Sequence, residues 1–280
     1  FIGTANAETT APSSYVIDGS KLHTIYGSSY LSGSQYIDIQ FKKTTDGKII
    51  YCIERSKAPI GSGTTEKYTL QKELSSKVAY VMENGYPNKS IFGNADKDYY
   101  TTGLAIWYVI NPNDSTFEYF NLANGTYRGN SSDIVVEMAK LVNGANSYSY
   151  TNPSIKINNS NSNLSLSSDG KYYVSSSMGV KTTGTVGNYT VSLSNAPEGT
   201  IVTDTKGNAK TTFATNESFL VKVPVSNVKK ISNEFQVNVS AKGTINKAYA
   251  YTSTRSNVQN TGALYPENSN VNDSTTVKLN

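Results

Sequence analysis

Cys52 and His23 are the only cysteine and the only histidine in the chain of 280 residues, and they bound its nucleophilic and metal chemistry. A single thiol excludes an intrachain disulfide, and one Cys with one His cannot supply a Cys/His zinc site. A Cys-His hydrolase would have to bring His23 beside Cys52, yet His23 sits in a polar, turn-like stretch near the N-terminus. Cys52 lies between Tyr51 and Ile53 in a strand-like run. A buried free cysteine packing as a small hydrophobe is its plainest reading. Exported proteins, however, tend to pair or discard thiols, so one left over is reactive or protected.

Other side chains carry weaker signals. Asp38, Glu54, Asp96, Asp98, Asp114, Glu118 and Glu137 include no pair with the distinctive context of a glycosidase, and no enzyme reading follows from them. A Lys-Asn crosslink would need a buried lysine beside an acid; Lys222, between Val221 and Val223, is the one speculative candidate. The net charge of +4 comes mostly from scattered lysines, with only Arg55, Arg128 and Arg255 as guanidinium groups. That pattern argues against nucleic acid as a partner.

The elements that must position Cys52 are β-rich. Charged residues make up 16% of the chain while 21 tyrosines and many Ser, Thr and Asn fill the gap, a composition suited to strands of a secreted surface protein. Residues 1–11 read as a signal-peptide remnant or a tag, with Ala5-Asn6-Ala7 as a small-x-small site. Alternating runs around Asp46-Gly47 predict a hairpin from Ser34 to Glu54. Helical spacing predicts helices from Gln71 to Glu83, after Asp98 up to Asn111-Pro112, and from Ser132 to Asn143-Gly144. The result is a helical block at about 66–144. From Pro153 to about 268 the pattern is β throughout, as in a sandwich, and 269–280 reads as a linker or the start of another domain. The fold class expected is α+β, mainly β: a β-sandwich-like domain over 12–268 with a small inserted helical block. No apolar run reaches the length of a membrane span.

Three ordered segments resemble a known family. Tyr51-Cys52-Ile53, then Thr102-Gly103-Leu104-Ala105-Ile106-Trp107, then Val258-Gln259-Asn260-Thr261 are similar to the three signatures of the thioester domains of Gram-positive surface adhesins. Each signature alone is weak, and their joint order is more specific. The second departs at Gly103, where the family has Gln, and the third at Gly262-Ala263, where it has larger apolar residues.

The resemblance implies that Cys52 and Gln259 form an internal thioester, with Tyr51, Ile53, Thr102, Gly103, Ala105, Trp107 and Val258 shaping the site. It implies covalent capture of an amine, such as a lysine of a host surface or matrix protein, in a single turnover rather than enzymatic catalysis. No cofactor or metal is needed. The setting implied is a secreted, monomeric module of a larger chain on the bacterial cell wall. The alternative is a non-covalent binding or stalk domain whose thioester site has degenerated.

Overall fold

The computed structural model describes residues 7–34, 36–159, 163–230 and 234–278 and is mainly β, with three α-helices among the described residues. It divides into two compact units. One holds residues 10–150 and 246–266, and the other holds 1–9, 151–245 and 267–280. Residues 1–6 of the expected leader remnant lie outside the described residues.

In the unit carrying Cys52, the Asp46-Gly47 hairpin forms as expected. Ile39–Lys43 pairs antiparallel with Ile49–Cys52, and Gly47 takes φ 91°, a conformation glycine adopts without a Cβ clash. His23–Ile25 adds on the other edge of Ile39–Lys43, so His23 is a strand residue and not a turn residue. Its Nε2 lies 2.8 Å from Asp96 Oδ1 at the surface and its ring stacks on Phe41 at 5.0 Å.

The helix expected from Gln71 begins only at Ser76. Thr65–Glu73 is a strand, pairing Ser14–Asp18 on one side and residues 249–253 on the other. Tyr68 and Leu70 face one side of it at a period of two, the signature of a half-buried strand. The helical block therefore starts later than residue 66.

Helix α1 (Ser76–Asn84) is capped by Ser75, α2 (Ala95–Ile110) by Asn94 and α3 (Asp133–Asn146) by Ser132. Each cap side chain accepts a first-turn N–H. Helix α3 runs through Asn143-Gly144 instead of stopping there, because glycine is needed for contact: a Cβ at 144 would lie 2.2 Å from Tyr80 Oη. The three helices bury Val78, Val81, Leu104, Ile106, Ile134, Val135 and Met138 against strand residues such as Ile39 and Tyr51. Burial of each such aliphatic side chain contributes roughly 1.5–3 kcal/mol.

A separate cluster joins Tyr15, Tyr68, Tyr249 and Tyr251 with Ile17, Ile50, Ile60 and Val258. Tyr15 stacks on Tyr251 at 4.1 Å. Tyr251 Oη donates to Pro12 O at 2.7 Å and Tyr15 Oη pairs with the Thr261 hydroxyl, which satisfies the polar tips of these buried aromatics.

In the other unit, Leu164–Leu166, Tyr172–Ser175, Phe219–Pro224 and Ile201–Asp204 make a four-stranded antiparallel sheet. Thr185–Ser194 pairs with Thr212–Phe213 and with residues 236–244. Tyr189, Phe213 and Phe219 interleave between these layers at centroid distances of 5.5–6.1 Å, and Val191, Val221 and Val237 complete a sandwich core.

Two long strands, Glu234–Ser253 and Thr261–Lys278, contribute to both units. The stretch expected as a linker is thus strand as far as Lys278. Val277 is buried and Asp273 accepts Ile157 N–H at 2.8 Å. Glu8–Thr9, inside the expected leader remnant, is also strand and pairs with Glu267 and Asn268. Lys222 is only half-buried, with Nζ over the Tyr172 ring, and lacks the burial a crosslink requires. No helix among the described residues is long and apolar enough to cross a membrane.

Candidate functional site

Cys52 ends the strand Ile49–Cys52, and that strand pairs with the start of Thr261–Lys278. Thr261 lies opposite Cys52 and Gly262 opposite Tyr51. The ladder extends one step further, since Ile53 N donates to Asn260 O at 3.0 Å. This antiparallel register brings the last residues of one strand beside those just preceding the other, and so sets Gln259 near the end of the Cys52 strand although the two lie 207 positions apart in sequence. Gln259 is itself fixed on both backbone groups: its N–H donates to Ala58 O at 2.9 Å and its carbonyl accepts Tyr68 Oη–H at 2.8 Å. Val258, just before it, bridges Ala58 and packs in the tyrosine cluster.

Both side chains are withdrawn from water, at 3% exposure for Cys52 and 8% for Gln259. Cys52 makes no disulfide. Burial pushes its thiol pKa up, since the thiolate loses hydration. The nearby Lys42 charge, the Glu54 N–H at 3.4 Å from Sγ, Trp107 and Arg55 all act in the opposite direction.

Helix α2 supplies the wall. Trp107 Nε1 donates to Cys52 O at 3.0 Å, with Arg55 over its ring at 5.2 Å. The Tyr51 ring stacks on Tyr99 at 4.3 Å and its hydroxyl donates to Tyr86 O at 2.5 Å. Thr102 accepts Tyr86 N–H at 3.0 Å and donates to Asp98 O at 2.8 Å, so it ties the loop after α1 to α2. Ala105 is fully buried.

The two glycine departures have steric reasons. A Cβ at Gly103 would meet Ile39 Cδ1 at 3.1 Å and Tyr51 Cδ1 at 3.8 Å, a tight fit against the end of the Ile39 side chain. One at Gly262 would sit 2.8 Å from Ile53 Cγ2 and 3.2 Å from Met82 Cε, because those side chains already fill the space.

The residue that sequence reasoning missed is Lys42. It is wholly buried, and its Nζ donates to Gln259 Oε1 at 3.0 Å and to Gln40 Oε1 at 2.6 Å. Desolvation lowers its pKa to about 8, and neighbouring Cys52 moderates the fall. Gln40 is locked in turn, accepting Ile60 N–H at 3.0 Å and donating to Ile60 O at 2.8 Å. The only sequence signal was Gln40 and Lys42 two apart on a strand, hence on one face.

His23 takes no part in this arrangement; its partners are Asp96 and Phe41. Beside Cys52, Ile53 and Trp107 line a pocket of about 160 Å³ together with Arg55, Asn111, Asp114 and Phe117. Among the described residues no group of three or more His, Cys, Asp or Glu is placed to hold a metal ion.

Cys52 and Gln259 are thus both buried near the ends of paired strands, with the Lys42 ammonium donating to the Gln259 carboxamide oxygen.

Comparison with known proteins bears on this arrangement. The thioester-domain family model matches residues 49–163, a span that includes Cys52 and Trp107. No curated protein sequence matches significantly. Among solved structures, the Bacillus anthracis TIE protein is similar at 23% identity with a TM-score of 0.65, over 100% of this chain and 49% of that one. The chain therefore spans about half of that relative. The thioester domain of the Enterococcus faecium TIE86 protein is similar at 20% identity with a TM-score of 0.61, over 98% of this chain and 99% of that one. The chain thus carries a thioester-domain family match at residues 49–163 and has the fold of solved thioester domains.

Proposed function

We propose that Cys52 and Gln259 form an internal thioester and that the protein uses it once, to capture an amine covalently at the surface of a Gram-positive bacterium. The observation that supports this reading is the register that pairs Cys52 with Thr261, two residues from Gln259, with Cys52 and Gln259 both buried and the carboxamide oxygen accepting from Lys42. Folding supplies the proximity, for which well-oriented intramolecular reactions gain effective molarities of roughly 10⁵ M or more.

In formation, the Cys52 sulfur bonds to the Gln259 side-chain carbon, the carbon–nitrogen bond breaks, and the thiol proton leaves with the nitrogen as ammonia. In capture, an incoming amine bonds to that carbon, the sulfur–carbon bond breaks, and the amine proton passes to the Cys52 sulfur. The product is an amide on the Gln259 side chain and a free thiol. Nothing regenerates the thioester, so the event is stoichiometric binding and not turnover.

The pocket lined by Ile53 and Trp107 is the approach for the amine, and a lysine of a host surface or matrix protein is the natural partner for a secreted module of this kind. The chain acts as a monomeric part of a larger wall-anchored protein and needs no cofactor.

The test is intact mass before and after methylamine for wild type, Cys52→Ala and Gln259→Ala. Wild type should weigh one ammonia less than its sequence and gain one methylamine; both variants should show the full mass and no adduct. An adduct retained in either variant rules out this pair.

A further inference from the structure

Lys42 is a buried cation inside a core, and the hairpin alone gives no reason for it to be there. It has no exposure, it has no carboxylate partner among its hydrogen bonds, and both of its acceptors are side-chain amide oxygens. A lone buried ammonium is destabilising unless something offsets the lost hydration. A structural role would be met as well by an apolar residue, since the backbone N–H of Lys42 is separately satisfied by Tyr99 Oη at 3.0 Å.

What its ammonium touches is Gln259 Oε1, the oxygen of the carboxamide assigned above as the acyl source. That oxygen is the one heteroatom of the carboxamide retained through every step: amide, tetrahedral intermediate, thioester and amide adduct. A donor fixed on it in the ground state lies where negative charge develops in both tetrahedral intermediates. Gln40 holds the donor in place. Its own amide is clamped at both ends by Ile60, so its Oε1 must face the Lys42 Nζ.

Resting on the thioester reading, we propose that Lys42 is the oxyanion donor of this site, a catalytic residue that activates the Gln259 carbonyl both for attack by Cys52 and for attack by the captured amine, with Gln40 as its positioning residue. Lys42 stays protonated throughout. The proton that leaves with ammonia comes from the thiol, and the proton returned to sulfur comes from the amine, so no co-reactant is needed.

The titratable groups facing this cation are few. Cys52 lies on the neighbouring strand, Tyr99 reaches in from α2 and Tyr68 from the strand Thr65–Glu73, with Arg55 beyond Cys52. Burial raises both phenols far above neutrality. Once acylated, Cys52 no longer titrates and no longer holds the Lys42 pKa up, which leaves Lys42 as the group whose charge changes at about pH 8 or below.

The experiment follows methylamine adduct formation by intact mass, using the full chain from about pH 6.5 to 9.5, with rate constants expressed per free amine. Wild type should lose reactivity as pH rises through the Lys42 pKa. Lys42→Met should react at least about 100-fold more slowly, the usual effect of removing one oxyanion donor, with a flat profile. A folded Lys42→Met protein that never loses ammonia also supports the proposal, because the same donor serves formation. Gln40→Glu, which places a carboxylate on the ammonium, should keep the reaction and move the fall in rate to higher pH by about one unit or more; it decides the matter if Lys42→Met does not fold.

Three results would overturn the role of Lys42. One is a Lys42→Met rate within about threefold of wild type with the same pH profile, another is a Gln40→Glu profile that does not move, and the third is a Lys42–Gln259 crosslink in the peptide map, which would make the lysine a nucleophile. A wild-type protein of full mass, inert to methylamine, would instead defeat the thioester reading itself.

Discussion

The burial of Lys42 has a consequence for stability that can be measured without any thioester present. In a Cys52→Ala background neither the bond nor the thiol exists, and Lys42→Met then removes the cation alone. Burial lowers the lysine pKa from 10.5 to about 8 because the ammonium is stripped of water. Between those values the unfolded chain holds more of the proton than the folded chain, so the lysine protein gains stability as pH rises. The deficit is fully present below about pH 8 and is relieved by 10.5. At about 1.36 kcal/mol per pH unit the whole window amounts to roughly 3 kcal/mol. Removing the Cys52 sulfur withdraws the one influence that raises this pKa, so the window opens no higher than in wild type.

The assay is urea denaturation of Cys52→Ala and Cys52→Ala/Lys42→Met at about pH 7 and about pH 10. Buried tyrosines are common to both proteins and cancel. So does the pH-independent loss of the hydrogen bond to Gln259 Oε1, worth about 1–3 kcal/mol. The stability gap should move by roughly 2–3 kcal/mol in favour of lysine over that interval. A gap constant to within about 0.5 kcal/mol would mean that Lys42 titrates as a solvated lysine and that its burial does not depress its pKa.

Other perturbations separate packing from chemistry. Gly103→Ala puts a methyl against the flexible end of Ile39 and replaces a mid-helix glycine, so the melting temperature should hold or rise, by up to about 1 kcal/mol in stability. Gly262→Val drives branched carbons into Ile53 and Met82 and should lower stability by about 1–3 kcal/mol in the same thermal assay. Tyr68→Phe strips the donor from the buried Gln259 backbone carbonyl while keeping the ring, and should lower stability by about 1–3 kcal/mol in denaturant titration.

What the sequence disclosed follows from how local each cause is. The hairpin was legible because Asp46-Gly47 and the flanking alternation act within a dozen residues, and α3 began where Ser132 could cap it. The strand Thr65–Glu73 was absorbed into the expected helical block, its end into the helix from Gln71, because its buried face consists of few residues, Glu66 and Tyr68 among them. Glu66 is buried only because Arg255 and Ser253 meet it from far along the chain. Gly144 reads as a stop until Tyr80 is seen to press on it. The tail beyond Asn268 is polar, and it becomes strand only through partners in a unit assembled from three separate segments.

At the site, Cys52 stood out as a lone thiol, and Trp107 and Gln259 emerged by resemblance. Lys42 was invisible because Phe41-Lys42-Lys43 reads as the exposed end of a strand. Its acceptor on Gln259 lies 217 residues away, and no window on the sequence contains both.

Formation of the Cys52–Gln259 thioester is read from the intact mass of freshly purified protein, alone and after methylamine, beside Cys52→Ala. The thioester gives a wild-type mass one ammonia below that of the sequence, a gain of one methylamine on incubation, and neither change in Cys52→Ala. Full wild-type mass with no adduct, or an ammonia deficit that persists in Cys52→Ala, would contradict it.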